Sequence, residues 1–383
     1  MIPSVPFIDL TRHEPEFNEA VDKTFRDMIV GAQFIGGPQV KRIEERLTTY
    51  VSLDHAVSCA NGTDAIQLAL RAIGVGPGDK VLVPNVTFWA TFEAVVNVGA
   101  TPVTIDCDIS DGGVNFHDFE RAITEVAPKA ALVAHLYGWG SARLTDLREL
   151  CKRYDVPLVE DGAQCFGTRF EGASIYAGAL IATTSFYPAK VLGAAGDGGA
   201  VFTSDLALAE TMRQLCNHGR TAHYGHGYVG WNSRLDALQA AYLNHALDVV
   251  EARIASRREA VTFYYEHLLP LVEKVGLEVM KAPQGYEENG YCNVCLVRDP
   301  QTKERIQKSL KAAGIGYGNI YPSPMSEQPG ALPYLGGHVG GQMGHLLCAS
   351  VLNLPLFPYM RRDELEYIVS ILAQTGVAVN ACQ

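Results

Sequence analysis

One lysine, set in a glycine-dense turn between two apolar strands, constrains this chain more than any other feature. Thr183-Thr184-Ser185-Phe186-Tyr187-Pro188-Ala189-Lys190 is followed by a glycine-rich run from Gly193 to Gly199. Ala179 to Phe186 reads as a short strand, the residues after it as a polar and aromatic turn, and Ala200 to Thr203 as a second apolar strand. Glycine at this density favours close backbone approach over a helix. A lysine held between two buried strands is desolvated, and a desolvated amine gives up its proton more readily and becomes a nucleophile. A Schiff base to a carbonyl cofactor is the use that fits. A lysine snorkelling out of a loop is the plainer alternative.

A second stretch, Val156-Pro157-Leu158-Val159-Glu160-Asp161-Gly162-Ala163-Gln164, changes the balance. Val156 to Val159 has the apolar signature of a buried parallel strand. Asp161 falls at its C-terminal end, where open α/β sheets bind their ligands. An aspartate there can also simply cap the next element. Paired with a downstream lysine in a glycine-rich loop, it points to pyridoxal 5'-phosphate (PLP). Lys190 would form the Schiff base, and Asp161 would keep the pyridine nitrogen protonated so that the ring acts as an electron sink.

Further motifs sharpen this reading. They are Ser58-Cys59-Ala60-Asn61-Gly62-Thr63-Asp64-Ala65, Gly76-Pro77-Gly78-Asp79, Gly196-Asp197-Gly198-Gly199 and Asn232-Ser233-Arg234. Together with the two stretches above, they resemble the nucleotide-sugar aminotransferases, the DegT/StrS family of fold type I PLP enzymes, from about Phe7 to the C-terminal region. The resemblance implies an α/β fold, with a mostly parallel central sheet carrying helices on both faces and a smaller C-terminal α+β domain. The expected division is a large PLP-binding domain with an N-terminal arm over 1–250 and a small domain over 251–383.

The resemblance also assigns roles. The cofactor phosphate would lie against Gly62, Thr63 and Ser185, and Phe88 would stack on the pyridine ring, with Trp89 its neighbouring alternative. Gln164 would bond the phenolic oxygen of the ring. Asn232 would reach the cofactor phosphate of a neighbouring subunit, which implies a homodimer with shared active sites. The amino donor would be L-glutamate and the acceptor a keto sugar on a nucleotide, for amino-sugar biosynthesis. Arg234 is a fork donor suited to a substrate carboxylate or diphosphate, or else a salt-bridge partner near a helix start. Tyr321 is placed with the substrate. Family members often have a histidine just before the Tyr-Pro pair, where this chain has Ile320. Related dehydratases replace the lysine with histidine, so Lys190 argues against dehydration. A catalytically silent regulator that only binds PLP or a nucleotide sugar would be expected to lose Lys190 or Asp161, and both are present.

Composition narrows the partners. The net charge is −11 and no basic run offsets it, which argues against nucleic acid. Nine scattered cysteines, an odd number, read as reduced thiols rather than a disulfide framework. Cys292 and Cys295 form a lone C-x-x-C inside an apolar run, so no metal is expected there. No signal-like N-terminus and no membrane-spanning apolar run is evident, and a cytoplasmic enzyme is expected.

The rest of the chain alternates strand and helix, as a parallel α/β sheet requires. Val5 to Leu10 reads as an arm, and Glu14 to Val30 and Gln39 to Tyr50 as amphipathic helices. His55 to Ala60 is a strand leading into Asn61-Gly62-Thr63-Asp64 and then a helix through Ile73. Strand, small polar turn and helix start make a phosphate cradle from free N–H groups, although an ordinary N-cap by Thr63 or Asp64 would look the same. Further strands are read at Val81 to Pro84, Thr101 to Asp106 and Ala131 to Leu136, and helices at Phe116 to Thr124, Thr145 to Arg153 and Asp205 to His218. His135 closes its strand near the expected site and reads as a satisfied core histidine. His218 to Gly230 is too irregular for regular structure. Trp231 to Arg234 is expected to open a long helix running from Leu235 to Leu269. Beyond it, strands are expected at Leu277 to Lys281 and Tyr291 to Arg298, and helices at Gln301 to Ala313 and Asp363 to Ala373. Between those helices lies a Gly/Pro-rich loop from Tyr317 to Gln342.

Overall fold

Strands with apolar residues in unbroken succession must be covered on both faces, and that rule lays out the larger part of the molecule. In the computed structural model, which describes residues 4–375, an eight-stranded sheet runs in the order His55–Cys59, Gly199–Thr203, Ile181–Ser185, Leu158–Asp161, Ala130–Ala134, Lys80–Pro84, Thr101–Ile105, His338–Val339. Only Gly199–Thr203 runs against its neighbours; the remaining pairings are parallel.

Alternation along each strand divides the core in two. Val81, Val83, Ala130 and Leu132 pack with the helices Gly62–Ala72, Trp89–Asn97 and Leu206–Leu215 on one face. Leu82, Ala131 and Val133 pack with Phe116–Val126 and Leu144–Arg153 on the other. The helices begin where the sequence offers caps. Asn61 accepts from Asp64 N at 2.8 Å, Asn115 accepts from His117 N and Asp118 N, and Asp205 accepts from Leu208 N, each satisfying a free N–H of a first turn.

The helix Ala237–Leu268 joins two cores. Leu243, Leu247, Val250 and Ile254 pack with Phe186, Phe202 and Tyr176, whereas Ala260, Phe263, Tyr264 and Leu268 pack with the C-terminal unit. That unit is a three-stranded antiparallel sheet, Glu278–Val279, Asn293–Leu296 and Val351–Leu354, with helices Pro300–Ala312, Met343–Ser350 and Arg362–Gln374. We propose that the chain divides within Ala237–Leu268, near the expected boundary at 250; part of the expected small domain, 376–383, lies outside the described residues. The N-terminal arm lies on the C-terminal unit, where Val5 bridges to Ile315 and Arg12 pairs with Glu364 at 2.6 Å.

Some expectations differ from the structure. Trp231 to Arg234 does not open the long helix. This segment is irregular apart from Asn232, which bridges to Asn217, and the helix starts at Ala237. The helix Met343–Ser350 and the strand Val351–Leu354 were not read from the sequence. The Tyr317–Gln342 loop also contains His338–Val339, which returns to the edge of the large sheet beside Thr104 and Ile105. Cys292 and Cys295 sit in different cores, so the pair does not converge on one point. Among the described residues, no helix is long and apolar enough to cross a membrane, and no cluster of His, Cys, Asp or Glu is placed to hold a metal ion.

A polar network centred on the buried carboxylate of Glu160 lies beneath the C-terminal strand ends. Arg148 grips Glu160 with Nε at 2.7 Å and Nη2 at 2.8 Å, and Glu160 faces His135 Nε2 at 2.9 Å. Burial by itself would raise the Glu160 pKa, but hydrogen bonds from His135 and Arg148 more than offset it and hold the carboxyl below its usual range. With its folded pKa depressed, Glu160 contributes stability above its unfolded value, and that contribution is lost as pH falls through the folded value. Arg148→Ala leaves a buried charge with half its partners, and chemical denaturation at neutral pH should show a loss of about 3–5 kcal/mol. That deficit should shrink in acid, once Glu160 is protonated in both proteins.

Candidate active site

The C-terminal ends of the parallel strands open onto one cavity of about 430 Å³, the position where open α/β sheets take ligands. Lys190, Asp161, Gln164, Ser185, Gly62, Thr63, Phe88 and Tyr321, from stretches far apart in the chain, all line it. Asn232 and Arg234 do not line it. Asn232 is exposed. Arg234 donates from Nη1 to Asn217 Oδ1 at 3.1 Å and keeps a buried Nε without a partner.

Asp161 is the last residue of its strand and is buried. Its Oδ2 accepts from Thr91 Oγ1 at 2.8 Å, Thr91 in turn lies 2.7 Å from Thr87 Oγ1, and its Oδ1 accepts from Ala163 N. These contacts fix the carboxylate, and among the described residues no cation pairs with it. Thr91 belongs to the helix that Phe88 caps, so one helix start orients the carboxylate and presents the aromatic. Phe88 is 58% exposed at the cavity wall, with its ring 6.2 Å from Tyr321. Trp89 instead packs on Phe92 in the core. An exposed aromatic face beside a cavity is the one free to stack.

Opposite Asp161, the helix Gly62–Ala72 points its N-terminus at the cavity. Its first N–H groups have no intrahelical carbonyl, and its dipole favours an anion there. The cradle depends on two glycines. A Cβ on Gly62 would lie 2.8 Å from Ser185 Cβ, and one on Gly199 would lie 2.4 Å from Asn61 O and 2.9 Å from Gly62 N.

Lys190 is half-buried in the turn after Ser185, and its Nζ lies 3.3 Å from Tyr291 Oη. Gln164 accepts from Tyr137 N at 2.7 Å and donates to Tyr321 Oη at 2.6 Å, which leaves one amide N–H for another partner. Burial pushes the Tyr321 phenol well above its usual range, so it stays protonated. His135 lines the cavity but is held by Glu160, so it is a satisfied buried histidine that also forms part of the wall. Ile320 contributes an apolar surface beside Tyr321. Sequence reasoning gave no role to Tyr291, to Thr91 or to Asp197, which it quoted only within the Gly196–Gly199 motif. Thr91 stands in a motif quoted for its aromatic neighbours, and Tyr291 carries no local signal because it arrives from the C-terminal unit.

Comparison with known proteins agrees with this geometry. The DegT/DnrJ/EryC1/StrS aminotransferase family model matches residues 15–373. The chain is 35% identical over 380 residues to a UDP-2-acetamido-2-deoxy-3-oxo-D-glucuronate aminotransferase of Pseudomonas aeruginosa, covering 96% of this chain and 99% of that one. It is 36% identical over 381 residues to a dTDP-3-amino-3,4,6-trideoxy-alpha-D-glucose transaminase of Streptomyces venezuelae, covering 99% and 98%. The crystal structure of S. venezuelae DesV in complex with a ketimine intermediate superposes with a TM-score of 0.90 at 33% identity, covering 97% of this chain and 98% of that one. The chain belongs to the DegT/DnrJ/EryC1/StrS aminotransferase family. It is a PLP-dependent aminotransferase.

The residues present fit that cofactor. The cavity brings together an amine, a buried carboxylate with no cation partner, an exposed aromatic face and a helix N-terminus cleared by two glycines. Gly199→Ala places a methyl group against the backbone of Asn61 and Gly62, which cannot move without shifting the helix start. Titration of the apo-protein with PLP, followed by absorbance, should show affinity at least about tenfold weaker, the cost of a displaced anion site. Thermal unfolding of the same variant should begin earlier.

Proposed function

We propose that this enzyme transfers the amino group of L-glutamate to a keto sugar carried on a nucleotide, as a step of amino-sugar biosynthesis. The observation that carries the reading is the convergence of Lys190 and Asp161 on one cavity, with the Gly62–Thr63 helix start facing them. The enzyme is a sugar aminotransferase. The relatives named above act on UDP- and dTDP-linked sugars, and those names support a nucleotide-linked acceptor here.

Bound PLP supplies an electron sink conjugated to the carbon whose bonds change. Lys190 is the amine that would hold it covalently. Asp161, fixed by Thr91, would keep the proton on the ring nitrogen. Gly62 N–H, Thr63 and the Ser185 hydroxyl would hold the phosphate. The Phe88 face would cover the ring, and the spare Gln164 N–H would meet its phenolic oxygen. The Lys190 amine would move the proton at the α-carbon of the amino donor, as a general base when it removes it and as a general acid when it gives it up. For the sugar acceptor it runs the same transfers in reverse. Tyr321 and the apolar Ile320 would form the wall against which the substrate lies.

We further propose a homodimer with shared active sites. The support is that Asn232 is exposed and stands outside the cavity of its own chain, while Arg234 keeps a buried Nε unsatisfied. From a partner subunit both could serve a phosphate or a diphosphate. Burial of the eight described cysteines, all free, suits a reducing cytoplasm.

The purified protein should carry a yellow absorbance band that bleaches on addition of L-glutamate and is lost in Lys190→Ala. A colourless wild-type protein that gains no band with added PLP would overturn the catalytic reading. Asp161→Asn should retain PLP but lower turnover by at least about a hundredfold, the ordinary size of a lost preorganised electrostatic contact. Near-normal turnover would remove Asp161 from its role.

A further inference from the structure

Lys190 meets a second group whose placement takes more structure than a cavity wall requires. Its Nζ lies 3.3 Å from Tyr291 Oη and 4.9 Å from the centre of the Tyr291 ring. Among the described residues, this is the one hydrogen-bond partner of that amine. Tyr291 comes from the C-terminal unit, just before the strand Asn293–Leu296, and is pinned from two sides.

The first pin is Asn289, which is fully buried. Its Oδ1 accepts from Tyr291 N at 2.9 Å, and its Nδ2 donates to Gln164 O and Phe166 O, each at 2.9 Å. The turn that carries Tyr291 is thereby tied to the segment that carries Gln164, itself part of the cavity. The second pin is Arg257, which is 5% exposed and, among the described residues, bonds to backbone carbonyls rather than to a carboxylate. Its Nη1 donates to Gly290 O at 3.2 Å and Leu356 O at 3.4 Å, while its Nε has no partner. Burial pulls its pKa down to about 10, which reports what holding a guanidinium there costs. A buried cation bonded to the carbonyls of Gly290 and Leu356, and a fully buried amide bridging two segments, both hold the turn whose tyrosine faces the amine.

We infer that Tyr291 is a positioning residue for the Lys190 amine. The inference rests on the reading of Lys190 as the reactive amine. The Nζ–H donates to the phenol oxygen, and this contact selects the orientation of the nitrogen, leaving its lone pair directed away from Tyr291 and available to a carbonyl carbon or a proton. The link also limits where the amine can go after a donor has displaced it, so the same nitrogen remains within reach for proton transfer. Misplacing a reacting group by about 1 Å costs on the order of a hundredfold in rate.

The test compares Tyr291→Phe, which removes only the hydroxyl, with the wild type. Stopped-flow absorbance on the apo-protein mixed with PLP reads the rate of covalent capture by Lys190 separately from the equilibrium affinity set by the phosphate cradle. The expected result is capture slowed about tenfold with affinity within about twofold. In single-turnover reaction of the PLP-loaded protein with L-glutamate, the limiting rate should fall about 10- to 100-fold while half-saturation by the donor barely moves. Tyr291→His, which restores a polar atom, should recover part of both rates. Capture and limiting rates within about twofold of wild type would overturn the inference, as would losses that track a lower melting temperature. If Tyr291→Phe does not fold, Tyr291→Met also lacks the hydroxyl and the same comparison applies. Loss of capture in the wild type itself would instead overturn the assignment of Lys190, a failure that Lys190→Ala identifies separately.

Discussion

The site depends on how closely three backbones approach one another at the reversed strand. Gly199 is opposite Cys59 on one side and Ser185 on the other, so the first strand of the sheet, the strand before the lysine turn and the strand after it meet at one residue. Because position 199 has no side chain, Asn61 O and Gly62 N can pass within 3 Å of where a Cβ would stand. Gly62 repeats the device against Ser185. The result brings a helix start and a lysine-bearing turn, more than a hundred residues apart in sequence, to a common opening. Their relative placement is enforced by the sheet's own ladder rather than by side-chain contacts that thermal motion could loosen.

Behind this opening the protein holds charged groups where apolar ones would pack more cheaply. Glu160 adjoins Asp161 in sequence but points the other way, into Arg148 and His135, as alternation along a strand dictates. The two neighbouring carboxylates therefore live in opposite environments: one paired with a guanidinium, the other held only by hydroxyl and amide donors. That separation keeps the Asp161 side of the strand free of a competing cation. His135, the partner of Glu160, is both buried and a part of the cavity wall.

Much of this was legible in the sequence because the relevant signals are local. A short apolar run ending in Asp161, a lysine after a glycine-dense turn, and a polar turn before helical periodicity each mark a strand end or a helix start, and those are the places where this fold puts its chemistry. The parts that were not legible are long-range or short. Tyr291 and Asn289 reach the site through tertiary packing of the C-terminal unit, so nothing near them in sequence signals a lysine. His338–Val339 is two residues long, too short for any periodicity, and exists only because Thr101–Ile105 offers an edge. Trp231 to Arg234 has the composition of a helix start, yet it pairs with Asn217 and leaves Asp236 to precede the helix. The tertiary bridge overrode the local preference.

The late return of His338–Val339 to the large sheet has a consequence for synthesis on the ribosome. Thr101–Ile105 emerges early, yet its outer edge stays unpaired until nearly the whole chain has been made. An unpaired edge is a template for association with other chains, and a nascent chain exposes it for as long as elongation takes to reach Val339. The C-terminal unit thus closes a gap in a core built long before it, and a message truncated before that point would yield a nearly complete sheet with one open, adhesive side.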